Sequence, residues 1–289
     1  MISGTVRTPW ILILLVACSA KQPTVDEALG GATTSQPHKD VDSMTLTETG
    51  VVYQEELGRT ARDAREVAIS KPANIDAQVA AAAALFESAN FEIDRRVIVS
   101  LDDDPPKTVM DLLQRQGGLA SEVKGRVVTL AEEGARCASL AIEIDPERSD
   151  ARYYYAVNLG LTAWGKGAAE VVLQGLAPKV KNAFAAAMAA DPDFDGAAPR
   201  RANAGFLGRA PWPLGDGAEA VEQMRLAVKA APTAVNHAVL AEVLWRTGDR
   251  PAAIAEWENA LTAGRGSSTA TAVRFARELA RRALALAQR

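Results

Sequence analysis

Residues 240–261 read LAEVLWRTGDRPAAIAEWENAL, and this stretch decides the fold. Its apolar and small residues fall at Leu240, Ala241, Leu244, Ala253, Trp257 and Ala260, a helical spacing interrupted once by Gly248-Asp249. Two amphipathic helices joined by a tight turn are the simplest reading. An earlier copy stands 33 residues upstream: Leu207-Gly208, Gly215-Asp216, Ala220, Met224 and Ala227 precede Leu240-Ala241, Gly248-Asp249, Ala253, Trp257 and Ala260. A period of this length marks stacked units that bury their apolar faces only against each other. Small residues at Ala241, Ala253 and Ala260 let paired helices touch, and Leu244 and Trp257 fill the gaps between them.

The two copies resemble the tetratricopeptide repeat. The later copy is the better match, because Pro211 and Pro213 interrupt the first helix of the earlier one. Arg265 stands where the last copy would carry its closing proline. Helix ends of the form Ala-x-x-x-x-Pro recur at Ala141/Pro146, Ala187/Pro192 and Ala227/Pro232, since a proline just beyond a helix stops it. The unit at 150–192 is longer than the others, and upstream of residue 140 the repeat fades.

Composition agrees with an all-α protein. Alanine, the best helix former, accounts for 57 of 289 residues, and no stretch alternates at period two. Ala120–Ile144 carries a stripe from Val123 through Val127, Leu130, Gly134, Cys137 and Ala141. That stripe puts Cys137 on a buried face as a small hydrophobe. Ser268–Arg289 separates Val273, Ala276, Ala280 and Ala283 from Arg274, Arg277, Arg281 and Arg282, the two-faced pattern of a terminal capping helix.

The amino terminus sets the compartment. Arg7 is followed by the apolar run Trp10–Ala17 and then Cys18. Eight residues rise only about 12 Å as a helix, too little to cross a hydrocarbon core of about 30 Å, so the run reads as a signal-peptide core. Leu15-Val16-Ala17-Cys18 resembles the lipobox of bacterial lipoproteins, which implies cleavage of residues 1–17 and acylation of Cys18. Acyl chains on Cys18 would hold the exported chain at a membrane. Ser19, standing where an aspartate would retain a lipoprotein at the inner membrane, points to the outer one. Residues 18–47 form the expected lipidated cysteine and flexible tether, rich in Pro, Thr, Ser and Gly, and 48–289 the helical-repeat domain.

A net charge of −4 leaves no basic excess for phosphates, so no nucleic-acid partner is expected. With two cysteines and two histidines, neither a disulfide framework nor a structural zinc site is expected. Asp102-Asp103-Asp104 lacks the spacing of a calcium loop and reads as the N-cap of the next helix. His237 reads as a satisfied, partly buried imidazole, and His38 as a solvated tether residue. No catalytic or cofactor motif is present, so no cofactor is expected and nothing points to an enzyme.

A functional surface is suggested by the tryptophans. Leu159 is followed by Trp164, Leu207 by Trp212 and Leu240 by Trp245, the same five-residue offset each time. Either each tryptophan wedges between repeats as core, or together they line an apolar groove. In the second reading Tyr154, Trp164, Arg209, Trp212 and Trp245 surround a cavity, with Asn158 and Arg200 as polar contacts. Arg200 would then hold a carboxylate. In the structural alternative it pairs with the neighbouring aspartates.

Tyr155-Ala156-Val157-Asn158-Leu159-Gly160, then Asp191-Pro192-Asp193-Phe194-Asp195-Gly196-Ala197-Ala198-Pro199-Arg200, then Leu207-Gly208-Arg209-Ala210-Pro211 through Gly215-Asp216, resemble in order the T-component family of tripartite ATP-independent periplasmic (TRAP) transporters. The resemblance covers roughly residues 152–263. It implies a lipid-anchored partner of a periplasmic substrate-binding protein, a hydrophobic small ligand in a central cavity, and a homo-oligomer. The rival class is a lipoprotein scaffold of the pilotin or outer-membrane-assembly type, binding a peptide or protein.

Overall fold

The computed structural model describes residues 22–29, 46–210 and 214–289. Thirteen α-helices account for nearly all of them: α1 (Val25–Ala28), α2 (Leu46–Ser70), α3 (Ile75–Asp103), α4 (Val109–Gln114), α5 (Ser121–Ile144), α6 (Ser149–Lys166), α7 (Ala168–Leu173), α8 (Leu176–Ala190), α9 (Phe194–Arg209), α10 (Gly217–Ala230), α11 (Ala234–Thr247), α12 (Arg250–Thr262) and α13 (Ala270–Ala287). No strand occurs among the described residues, and the protein is all-α.

The helix punctuation follows from local chemistry. α5, α8 and α10 end two residues before Pro146, Pro192 and Pro232. Their caps Asp145, Asp191 and Ala231 are extended, with ψ of 95°, 97° and 95°, the conformation a following proline imposes. Each cap N–H still donates to Ala141, Ala187 or Ala227, the alanine of its motif. The Gly-Asp pairs make the turns. Gly248, at φ 98°, ends α11 and the Asp249 side chain accepts from Ala252 N. Asp216 caps α10 through Ala218 N and Glu219 N, both at 3.0 Å. Gly215 lies so close to the Ala210 carbonyl that no Cβ fits.

The repeat positions form the core of the carboxy-terminal half. Leu240, Ala241, Leu244, Ala253, Trp257 and Ala260 are buried, as are Leu207, Ala220, Met224 and Ala227 in the earlier copy. α9 pairs with α10 and α11 with α12, and α10 packs on α11. Upstream, α5 lies between α3 and α6. Where α5 meets α6, Gly134 admits the Asn158 side chain, whose Oδ1 would lie 2.5 Å from any Cβ placed there. Cys137 is fully buried, and burial pushes its thiol up to about 11.

α13 does more than cap the stack. Val273, Ala276, Ala280 and Ala283 are buried, but Arg282 on the other face reaches Asp102 at the end of α3, 2.6 Å away. α13 touches α4, and Arg246 of α11 donates to the Leu113 carbonyl of α4 at 2.8 Å. The carboxy-terminal helices therefore meet α3 and α4.

Two expectations are corrected. The aspartates before Pro105 do not cap the next helix: Thr108 does, in a reciprocal capping box with Asp111. Asp104 ends α3 and pairs with Arg115, and Asp102 is the partner of Arg282. Residues 22–29, expected within the flexible tether, dock on the body. Thr24 and Glu27 form a capping box, Thr129 donates to the Pro23 carbonyl at 3.1 Å, and Arg62 donates to the Leu29 carbonyl. Buried Ala28 and Leu29 supply the apolar contact that a tether reading based on Pro and Thr overlooks. Cys18, residues 1–17 and most of the remaining tether, including His38, lie outside the described residues.

Candidate functional site: the inner face of the helix stack

Side chains from α3, α6, α9 and α11 converge. At one end Arg209 of α9 and Glu242 of α11 form a two-pronged pair, with Nε at 2.9 Å and Nη2 at 2.6 Å from the two carboxylate oxygens. Arg246, one turn further along α11, donates to the same carboxylate at 2.9 Å. Burial would raise the Glu242 carboxyl, but Arg209 and then Arg246 outweigh it and hold it below its ordinary value. Two guanidiniums share one carboxylate, so the cluster keeps one positive charge. Gly205, Gly208, Val239 and Val243 line a shallow surface depression beside the cluster, with no enclosed cavity. Arg209 is 45% exposed and so is open to an incoming anion.

Asp94 of α3 lies within the field of Arg209. Burial first, then the Glu87 carboxylate, push it up to about 8 against the pull of that arginine. Asn90 donates to Asp94 Oδ2 at 3.3 Å. At neutral pH the Asp94 carboxyl is therefore shifted towards its neutral form. Glu87 is raised by burial and by Asp195, and Arg201 opposes the shift.

The other end is aromatic. Tyr153 and Tyr154 of α6, Phe86 of α3 and Phe194 of α9 have ring centroids 5.0–6.4 Å apart. Burial pushes the Tyr153 hydroxyl up to about 12, against the pull of the Arg201 charge. Arg201 is aimed by Asn236, which is fully buried in α11. Asn236 Oδ1 accepts from Arg201 at 2.7 Å, and its amide nitrogen donates to the carbonyls of Ala231 and Gly196 at 2.8 and 3.0 Å. α9 reaches this position through a left-handed turn at Asp195, Gly196 and Ala197 (φ 46°, 66° and 65°), after which Pro199 starts the regular helix.

Of the expected site residues that are described, Arg209 belongs to the ionic cluster and Tyr154 to the aromatic group, whereas Asn158, Arg200, Trp164 and Trp245 make other contacts. Asn158 is fully buried and holds helices together: its amide donates to Ala82 of α3 at 3.1 Å and to Tyr154 O at 2.8 Å. Arg200 points to the α10 side, bonded to Asp193 at 2.8 Å and Gln223 at 3.2 Å, the aspartate pairing of its structural reading. Trp164 sits half-buried against the core with Lys124 of α5 5.9 Å from its ring. Trp245 packs on Trp257 of α12 at 5.4 Å, with Arg250 on its other side. These two half-buried tryptophans pack against different helices. Trp212, like Cys18, lies outside the described residues. His237 is buried, with Nδ1 2.6 Å from Glu256.

Sequence reasoning missed Glu242, Arg246, Asp94 and Glu87. A signal for the first was present: Arg209 and Glu242 are 33 residues apart, one repeat, so they occupy equivalent positions on adjacent units. The described elements are all-helical, with a surplus cation between α9 and α11 and a packed aromatic group between α3, α6 and α9. Among known proteins, no family model and no curated sequence matches this chain.

Proposed function

We propose that this chain is a lipid-anchored, periplasm-facing accessory protein of a TRAP-type solute uptake system, with helix pairs of the tetratricopeptide type. Its inner face would bind an apolar carboxylate, received from or passed to a periplasmic substrate-binding protein. One observation carries the reading. The Arg209–Glu242–Arg246 cluster keeps a net positive charge at a shallow depression between α9 and α11, and the partly buried rings of Tyr154 and Phe194 lie further along α6 and α9. Such a surface suits a ligand with an anionic head and an apolar body. The lipobox residues Leu15-Val16-Ala17-Cys18 and the ordered motifs between Tyr155 and Asp216 support the placement.

Decanoate titrated calorimetrically into the detergent-solubilised full chain tests this reading. Arg209→Gln should weaken binding roughly tenfold or more, because a charge-assisted hydrogen bond to the head group is lost. Arg246 remains to neutralise Glu242, so the melting temperature should move little. Equal affinity in the wild type, Arg209→Gln and Arg246→Gln would remove the inner face as the site. Binding of peptides but not decanoate would favour the scaffold class.

A further inference from the structure

Val172 and Leu173 are the two most exposed large apolar side chains among the described residues, at 76% and 86%. They end α7, a six-residue helix inserted between α6 and α8. Gly167 (φ 79°) and Gly175 (φ 61°) bracket it, and nothing lies within 4 Å of a Cβ built on either. These glycines serve the left-handed backbone and not close packing. Lys166 bonds Gln174 at 3.1 Å and Gln174 bonds Glu170 at 2.7 Å, so the knuckle is braced from within. Exposed Lys179 and Lys181 follow on the next helix. A braced projection that offers two bare apolar side chains beside two cations has the chemistry of an interfacial insertion.

The position of the amino-terminal segment says which surface it meets. Pro23 packs by Gly125 of α5, 3.9 Å from a Cβ built there, and its carbonyl accepts from Thr129. Lys124, one residue before Gly125, lies with Val128 against Gly165 of α6, two residues before the knuckle's first glycine. Cys18 precedes Pro23 by five residues, a reach of at most about 18 Å. An acyl chain on Cys18 would therefore be tethered within that reach of the α5–α6 contact next to α7. We infer that Val172 and Leu173 insert into the interface of the bilayer that holds Cys18, with Lys179 and Lys181 against anionic headgroups. This second contact would fix the orientation of the inner face relative to the membrane. It rests on the reading of Cys18 as lipidated.

The full acylated chain, reconstituted on vesicles of phosphatidylethanolamine and phosphatidylglycerol, provides the test. Leu173→Cys is labelled with an environment-sensitive fluorophore, and Glu258→Cys on α12 serves as the exposed control; buried Cys137 stays unlabelled. At 173 the emission should shift to the blue and be quenched by lipids spin-labelled near the headgroup, while the probe at 258 stays unchanged. Lys179→Glu/Lys181→Glu should reduce the shift on these vesicles and leave it unaltered on phosphatidylcholine. A water-exposed signal at 173 in protein that co-floats with the vesicles would overturn the inference and leave the anchor intact. Acyl-free Cys18 with no co-flotation would instead overturn the anchor reading on which it rests.

Discussion

Trp257→Ala is expected to lower unfolding free energy by about 3–5 kcal/mol, the range for a buried tryptophan truncated in a packed core. Trp257 is 2% exposed and stacks on Trp245 across the α11–α12 contact, with Ala253 and Ala260 one turn away on either side. Trp245→Ala, at a half-buried ring, should cost clearly less. Chemical denaturation of the two variants under the same conditions checks the order. Equal losses would mean that the two rings share the contact evenly, contrary to the burial pattern.

Glu92→Ala should cost about 2–4 kcal/mol, since removing one partner from a buried ionic cluster strands the others. Glu92 is 4% exposed and joins Arg95 and Arg96 of its own helix to Arg126 of α5. The arginines are partly solvated, which places the loss below that of a fully enclosed pair. Burial would raise the Glu92 carboxyl, yet the hydrogen bond from Arg126 and the charges of Arg95 and Arg126 win and lower it from 4.5. Its contribution is thus fully present above pH 4.5 and is lost as acid protonates it below that value. Melting curves should show the Glu92→Ala penalty at pH 7 shrinking towards pH 3. A penalty independent of pH would assign the loss to packing alone.

How legible each part was depended on which contacts are local. The 33-residue recurrence identifies the α9–α10 and α11–α12 pairs because each depends on neighbours in sequence: Ala241 against Ala253, Gly248 turning, Asp249 capping. The proline-terminated helices were legible for the same reason. The return of α13 to α3 was not, because Arg282 meets Asp102 across 180 residues. In sequence, Arg282 looks like one more cation on a wet face. Asn158 misled for a related reason: a polar residue in an apolar helix fits a binding contact as well as a clamp, and only the opposing Gly134 decides between them. The tryptophan offset did not make a shared surface of the two that are described: Trp245 turns towards α12 and Trp164 towards α5. Arg209 was singled out in the sequence without its partner Glu242, which stands 33 residues away.

The account as a whole depends on the chain being held at a membrane through Cys18. Intact-mass spectrometry of the protein extracted from membranes reads this directly. A mature polypeptide that begins at Cys18 and carries acyl mass is the predicted result, with Cys18→Ser recovered in the soluble fraction. An extracted chain that retains residues 1–17, or begins elsewhere with Cys18 absent or unmodified, would contradict it.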